Sequence, residues 1–337
     1  MTSETEEENL RRERVNTGAA LVVEADADPS ASDSFAEQLQ QTLRETEGAV
    51  LDLAHVRKDP SQSQHWQHAR AIVERFKPTP WFIWRLSNFV LGRAGVINEA
   101  PEGLVFGLRR LLFAAASDGV LGAGQKINNA RRALNELDPD VLAAVAVIHG
   151  MCRRLGTFDH ERIWRPILED ALVRSRIGFM VGAKNPEFGS GRGMLAGFAG
   201  RCGLAILIAT GDLDQARRAL EMLASGTDIR DVGLAVYRCE PLQVSAMTLS
   251  AAGCGRDAAF GTVSFSAGDA LGAVDSTTQL QWLAAFTIIE RTRVGRESEI
   301  DARLWDALGF GTPEAQKELV TEVKQLVRRG HGWGWLV

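Results

Sequence analysis

Residues Gly193–Leu207 read GMLAGFAGRCGLAIL. The stretch has an apolar face, small residues that let neighbouring helices approach closely, and a glycine exit into a further apolar turn. A helix of that composition belongs in a protein core. Its one charged residue is Arg201. Two readings follow: a helix that was only ever core, or a helix that once held chemistry and lost it.

Outward from this stretch the 3.6-residue pattern repeats in both directions. Upstream, His65–Phe76 places Trp66, Ala69, Ile72, Val73 and Phe76 at helical spacing, and KPTP at 77–80 stops it. Trp81–Leu91, Leu104–Ala116, Asn128–Leu137, Val141–Leu155 and Ile163–Val181 continue the pattern. Asp138-Pro139 reads as an N-cap followed by an N1 proline. Downstream come Leu213–Ala224, Val232–Cys239 and Leu242–Ala252. Gln279–Arg293 follows Ser276, and Glu314–Arg329 follows Thr312-Pro313. Short connections between about ten such segments predict a multi-helix bundle without solenoid repeats.

The first 60 residues have a different texture. Residues 1–17 are acidic and polar and are expected to be a disordered tail. ALVVEA at 20–25 reads as a strand, and Ser34 and Glu37 as a capping box before EQLQQTLRE. AVLDLAHV at 49–56 reads as a second strand. Residues 18–60 are therefore expected to form a small α/β unit. It is divided by KDPSQSQ (58–64) from an all-helical domain over 65–330.

The 337 residues are 45% hydrophobic and 24% charged, with a net charge of −5, which gives no broad attraction to nucleic acid or anionic lipid. No nucleic-acid partner is expected. Arginine doublets such as Arg109–Arg110 and Arg153–Arg154 lie on helices with few interleaved aromatics and read as solvated faces. Cys152, Cys202, Cys239 and Cys254 form no Cys-x-x-Cys pair and read as buried thiols in a reducing compartment. The start carries no signal-peptide pattern. GLAILIA at 203–209 is too short to span a bilayer, so no membrane insertion and a cytoplasmic location are expected.

The order of these segments over about residues 76–330 resembles the HDOD family, the HD-related output domain of bacterial signalling proteins. FKPTPWFIWRLSNFV (76–90) looks like the family's proline-containing entry. The most specific part is Leu108–Met151, LRRLLFAAASDGVLGAGQKINNARRALNELDPDVLAAVAVIHGM. Ser117, Gly122, Ile127, Ala133, Leu134 and Leu137 there match the family's pattern, and Asp138 stands where glycine is usual. IWRPILEDALVRSRIGFMVG (163–182) matches at Trp164 and Ala171. MLAGFAGRCGLAIL matches the following helix. Pro241 and Val244 fit a later turn, from which Tyr237 and Cys239 depart. The resemblance implies an HD-like helical fold and a role in signal transduction.

The related HD phosphohydrolases hold a divalent metal with a His, a His-Asp pair and a distant Asp, because the metal must activate water beside a phosphate. None of the six histidines here (55, 65, 68, 149, 160 and 331) precedes an aspartate. Where the resemblance places ligands, the chain offers Pro166, Gly200 and Arg201. Proline and glycine side chains donate nothing, and arginine repels a metal. No catalytic residue, metal or cofactor is expected, only a vestigial pocket at Pro166, Arg192, Gly200 and Arg201.

Other motifs read blandly. GSGRG at 189–193 reads as a flexible connection, or else as a backbone nest for an anion helped by Arg192. His149 reads as a hydrogen-bonded core histidine. His65 and His68 read as a solvated or half-buried pair, and Asp159-His160-Glu161 as helix-start chemistry. A buried Arg201 must reach solvent, meet an anionic ligand or pair with a carboxylate. Glu169 and Asp170 on the preceding helix are the expected partners.

The resulting expectation is a non-catalytic regulatory module that acts on a signalling partner protein or a small ligand. The alternatives are a divergent metal-dependent phosphohydrolase using His149, or His160 with Glu161, and a helical scaffold. The sequence leaves the oligomeric state open.

Overall fold

The computed structural model describes residues 29–52, 60–92, 106–266 and 276–337. Among the described residues there is no strand, and fifteen α-helices follow one another. They are α1 Pro29–Leu51, α2 Pro60–Phe76, α3 Trp81–Val90, α4 Arg109–Ser117 and α5 Ala130–Glu136. Next come α6 Pro139–Leu155, α7 Glu161–Ala183, α8 Ser190–Thr210, α9 Leu213–Ala224 and α10 Ile229–Val232. The last five are α11 Pro241–Ala251, α12 Arg256–Ser266, α13 Thr277–Val294, α14 Ala302–Ala307 and α15 Pro313–Arg329.

Helix α8, which contains Gly193–Leu207, is the axis of the bundle. Every residue from Ser190 to Ala209 except Arg201 is buried. Helices α6, α7, α11 and α13 pack around it. Its glycines set how closely they approach. A Cβ at Gly191 would strike the Asp140 carbonyl of α6, one at Gly197 the Arg174 carbonyl of α7, and one at Gly203 the Pro241 carbonyl of α11. A helix apolar on all sides has no face to give to water, so it sits in the middle. By length and composition α8 could also cross a membrane, being longer than the GLAILIA run at its end, yet 89% of its apolar window is buried within the bundle.

The breakers act as their chemistry dictates. KPTP ends α2 at Phe76, with Lys77 at φ +50°, and α3 starts directly after Pro80. Thr312 accepts a hydrogen bond from the Ala315 N–H, and Ser276 one from Gln279 N–H. Asp138 stands at the N-cap of α6, but its side chain does not cap; Pro139 occupies N1. Residues 232–239 differ from the expected single helix. A short α10 passes into a π-turn over Gly233–Tyr237, and left-handed Arg238 at φ +59° ends it.

GSGRG is not a flexible connection. Gly189 turns at φ +86°, and Ser190–Gly193 form the buried first turn of α8. The N-terminal segment also differs from its expectation. Ser34 lies inside α1, and Ala49–Leu51 close that helix where a strand was expected. Val50 is fully buried, as a helix end packed on the body requires, and a short apolar run reads the same way in either state. Helix α1 packs on α2 and α11, and Thr46 Oγ1 lies 2.6 Å from Ser250 Oγ. Residues 60–64, expected as a break, are the first turns of α2. The expected tail at 1–17, the first strand at 20–25 and residues 53–56 lie outside the described residues.

Candidate functional site

Three helices bring charge to one place. Asp170 and Arg174 stand one turn apart on α7, Arg201 interrupts the apolar run of α8, and Glu290 and Arg293 stand near the end of α13. Spacings of three and four residues put each same-helix pair on one face. Pro166 lies one turn before Asp170 inside α7, so the two share a stripe of that helix.

The bonds form a closed network. Arg174 Nε donates to Asp170 Oδ2 at 2.8 Å, and Arg174 Nη1 donates to Glu290 Oε1. Arg201 Nε lies 3.2 Å from the same Asp170 Oδ2, and its Nη1 lies 3.4 Å from Glu290 Oε2 and 2.8 Å from the Gly200 carbonyl oxygen. Arg293 Nη2 donates to Asp170 Oδ1 at 3.0 Å. Arg174 is the anchor, with a side chain only 3% exposed. Gly200 makes the arrangement possible, because a Cβ there would lie 2.6 Å from Glu290 Oε1.

Electrostatics favours the charged forms. Burial alone would raise the Asp170 carboxyl, but Arg174, Arg201 and Arg293 outweigh it and hold its pKa below the ordinary carboxylate value. Burial lowers the Arg201 pKa, and its pairing with Glu290 and Asp170 opposes that shift. A guanidinium titrates so high that it stays charged throughout.

The expected pocket residues separate into two places. Gly200 and Arg201 lie at this network, and Pro166 stands exposed one turn before Asp170. Arg192 lies nine residues earlier on α8, roughly 13 Å along the axis at helical rise. It is buried and donates to the Glu187 and Phe188 carbonyls. The nest reading of GSGRG finds an anion of the protein's own: Asp140 Oδ2 accepts from the Gly191 N–H at 2.6 Å. A carboxylate at a helix N-terminus satisfies both an orphan donor and the dipole. Of the two partners expected for Arg201, Asp170 is one. Glu169 instead meets His331, whose Nε2 lies 2.6 Å from Glu169 Oε2. Glu290 and Arg293 were not singled out from the sequence, because their partners lie about ninety to a hundred and twenty residues away along the chain; Arg174 was missed although its partner Asp170 stands one turn before it.

The remaining candidates hold structure. His149 Nδ1 donates to the Leu336 carbonyl at 2.9 Å, and burial keeps its pKa below the ordinary 6.5. His160 takes a left-handed φ of +66° before α7, and Glu161 pairs with Arg165 at 2.5 Å. His68 Nδ1 meets the Gln64 carbonyl at 2.8 Å. All four cysteines are buried free thiols, and burial pushes Cys202 up to about 12. Among the described residues no three His, Cys, Asp or Glu side chains stand together as a metal would require.

Solved structures share this arrangement of helices. A crystal structure of an HDOD domain protein of unknown function from Geobacter sulfurreducens superposes with a TM-score of 0.57. The match covers 79% of this chain and 95% of that one at 12% identity. The chain has an HDOD-like fold. A protein described as a candidate phosphohydrolase from Shewanella amazonensis SB2B superposes with a TM-score of 0.55, over 80% of this chain and 97% of that one, at 14% identity. No family model and no curated protein matches the sequence. The HDOD-like fold thus persists here at an identity where few side chains are shared.

Proposed function

We propose that this chain is a non-catalytic regulatory module that acts by binding a signalling partner protein or a small ligand in the cytoplasm. The observation that carries the reading is the closed network at Gly200 and Arg201. Asp170, one turn after Pro166, and Glu290, beside Gly200, are both committed to arginines. A divalent ion placed there would face three guanidiniums. The pattern favours a fold kept for its shape and surface over one kept for hydrolysis.

The experiment is turnover of a panel of phosphate esters by the purified chain with added manganese, magnesium or iron. The expected result is no metal-dependent hydrolysis. Hydrolysis lost in His149→Ala, or in His160→Ala with Glu161→Gln, would establish the phosphohydrolase reading instead.

A further inference from the structure

The charged network is not neutral. Three guanidiniums face two carboxylates, leaving one positive charge in excess in a region largely shielded from water. Glu169, the next carboxylate along α7, is turned away to His331 and Arg165. An uncompensated charge in such a place is unfavourable unless something answers it.

The hydrogen bonds point to the same place. Each oxygen of Asp170 and Glu290 already accepts from an arginine. The donors are not used up. Among the described residues, Arg201 donates hydrogen bonds only from Nη1, its Nε makes an ion pair with Asp170, and no bond is made by its Nη2. Arg293 spends only Nη2, and its Nε is buried without a hydrogen-bond partner. Both arginines contact the same carboxylate, Arg201 at Asp170 Oδ2 and Arg293 at Asp170 Oδ1. Both also reach the surface, with side chains 17% and 29% exposed, whereas Arg174 behind them is sealed.

We propose that Arg201 and Arg293 form a binding site for a phosphoryl group, held on the solvent side of Asp170. Guanidiniums present paired N–H donors whose geometry matches phosphate oxygens, and two of them from adjacent helices can share one tetrahedral anion. Asp170 and Arg174 position the pair and do not touch the ligand. The site gives the regulatory module its small ligand and rests on that reading; a phosphate-bearing metabolite or free phosphate would supply the same group.

The test uses the full chain at fixed pH and ionic strength. Inorganic phosphate and, separately, adenosine 5′-monophosphate replace chloride while melting temperature and calorimetric heat are followed. The expected result is saturable binding of at least one of them at millimolar concentration or below. Arg293→Gln should weaken it by about tenfold or more, the loss of a charged hydrogen-bond donor. Arg110→Gln, at an exposed arginine on another helix, should bind as the unaltered chain does. Arg293→Lys keeps the charge beside Asp170 and serves if the glutamine variant folds poorly; it should bind at least several-fold more weakly. Phosphate stabilises many proteins without binding. A non-saturating shift, or binding by both Arg293→Gln and Arg293→Lys as tight as that of the unaltered chain, would overturn the proposal. Failure here without hydrolysis removes the site and leaves the partner-binding reading intact. Binding followed by hydrolysis of the nucleotide would keep the site and remove the non-catalytic reading.

Discussion

Glu290 and Gly200 share one space: the carboxylate oxygen of Glu290 stands 2.6 Å from where a Cβ on Gly200 would be. Alanine is the better helix former by about 0.5–1 kcal/mol, so Gly200→Ala would stabilise an ordinary helix. Here it should destabilise, by about 1–3 kcal/mol, because Glu290 must move off Arg174. The opposing sign makes the contact testable. In a Glu290→Ala background the same substitution should cost less, and denaturant unfolding of the four chains would measure the difference as a coupling energy.

The arginines should rank by burial. Arg174 bonds both carboxylates and is sealed from solvent, so Arg174→Ala should cost about 3–5 kcal/mol. Arg201→Ala should cost about 1–3 kcal/mol, less than Arg174→Ala, because its side chain is part-exposed and Arg174 still pairs with both carboxylates after it is gone. Arg293→Ala, which breaks one bond at the edge, should cost least. Melting temperatures in that order would support the network; equal effects would contradict it.

Acid should loosen the C-terminal tail. His149 is held neutral by burial and donates to the Leu336 carbonyl. Its folded pKa lies below the unfolded 6.5. The unfolded chain therefore takes up the proton first. Its contribution is complete above pH 6.5 and declines as pH falls below that value, towards the lowered folded pKa. His149→Gln keeps a donor for Leu336 and removes the titration. Its melting temperature should fall less steeply than that of the unaltered chain on acidification below that pH.

Asp140 gives the opposite case. Burial raises its pKa, against the opposing hydrogen bond from Gly191, so keeping it ionised costs stability at neutral pH. Asp140→Asn preserves an acceptor for the Gly191 N–H and removes the charge, and should leave the melting temperature equal or higher. Asp140→Ala strands that N–H and should lower it by an amount equivalent to about 1–2 kcal/mol.

The bundle was legible because caps, breakers and 3.6-residue spacing are local signals. Leu213–Ala224 ends where the sequence places it, behind the capping box of Asp212 and Gln215. The misreadings are physical. AVLDLAHV is too short for periodicity to separate a buried helix end from a strand. RDAAFGTVSFS, which forms α12, carries a glycine and β-branched residues that blur its helical signal. Gly200 and Arg201 could be picked out as the odd residues of α8. Their partner Glu290 could not, because the pairing is made by packing α13 against α7 and α8 across some ninety to a hundred and twenty residues of chain.

The central claim is that arginine and carboxylate have replaced metal chemistry in this helical bundle. It is tested most directly by elemental analysis of the chain, purified without chelator and after incubation with manganese, iron or zinc. The expected result is no stoichiometric retention of any of the three, alike in the unaltered chain and in Arg201→Ala. About one ion retained per chain, with phosphate-ester hydrolysis that a chelator abolishes, would contradict it.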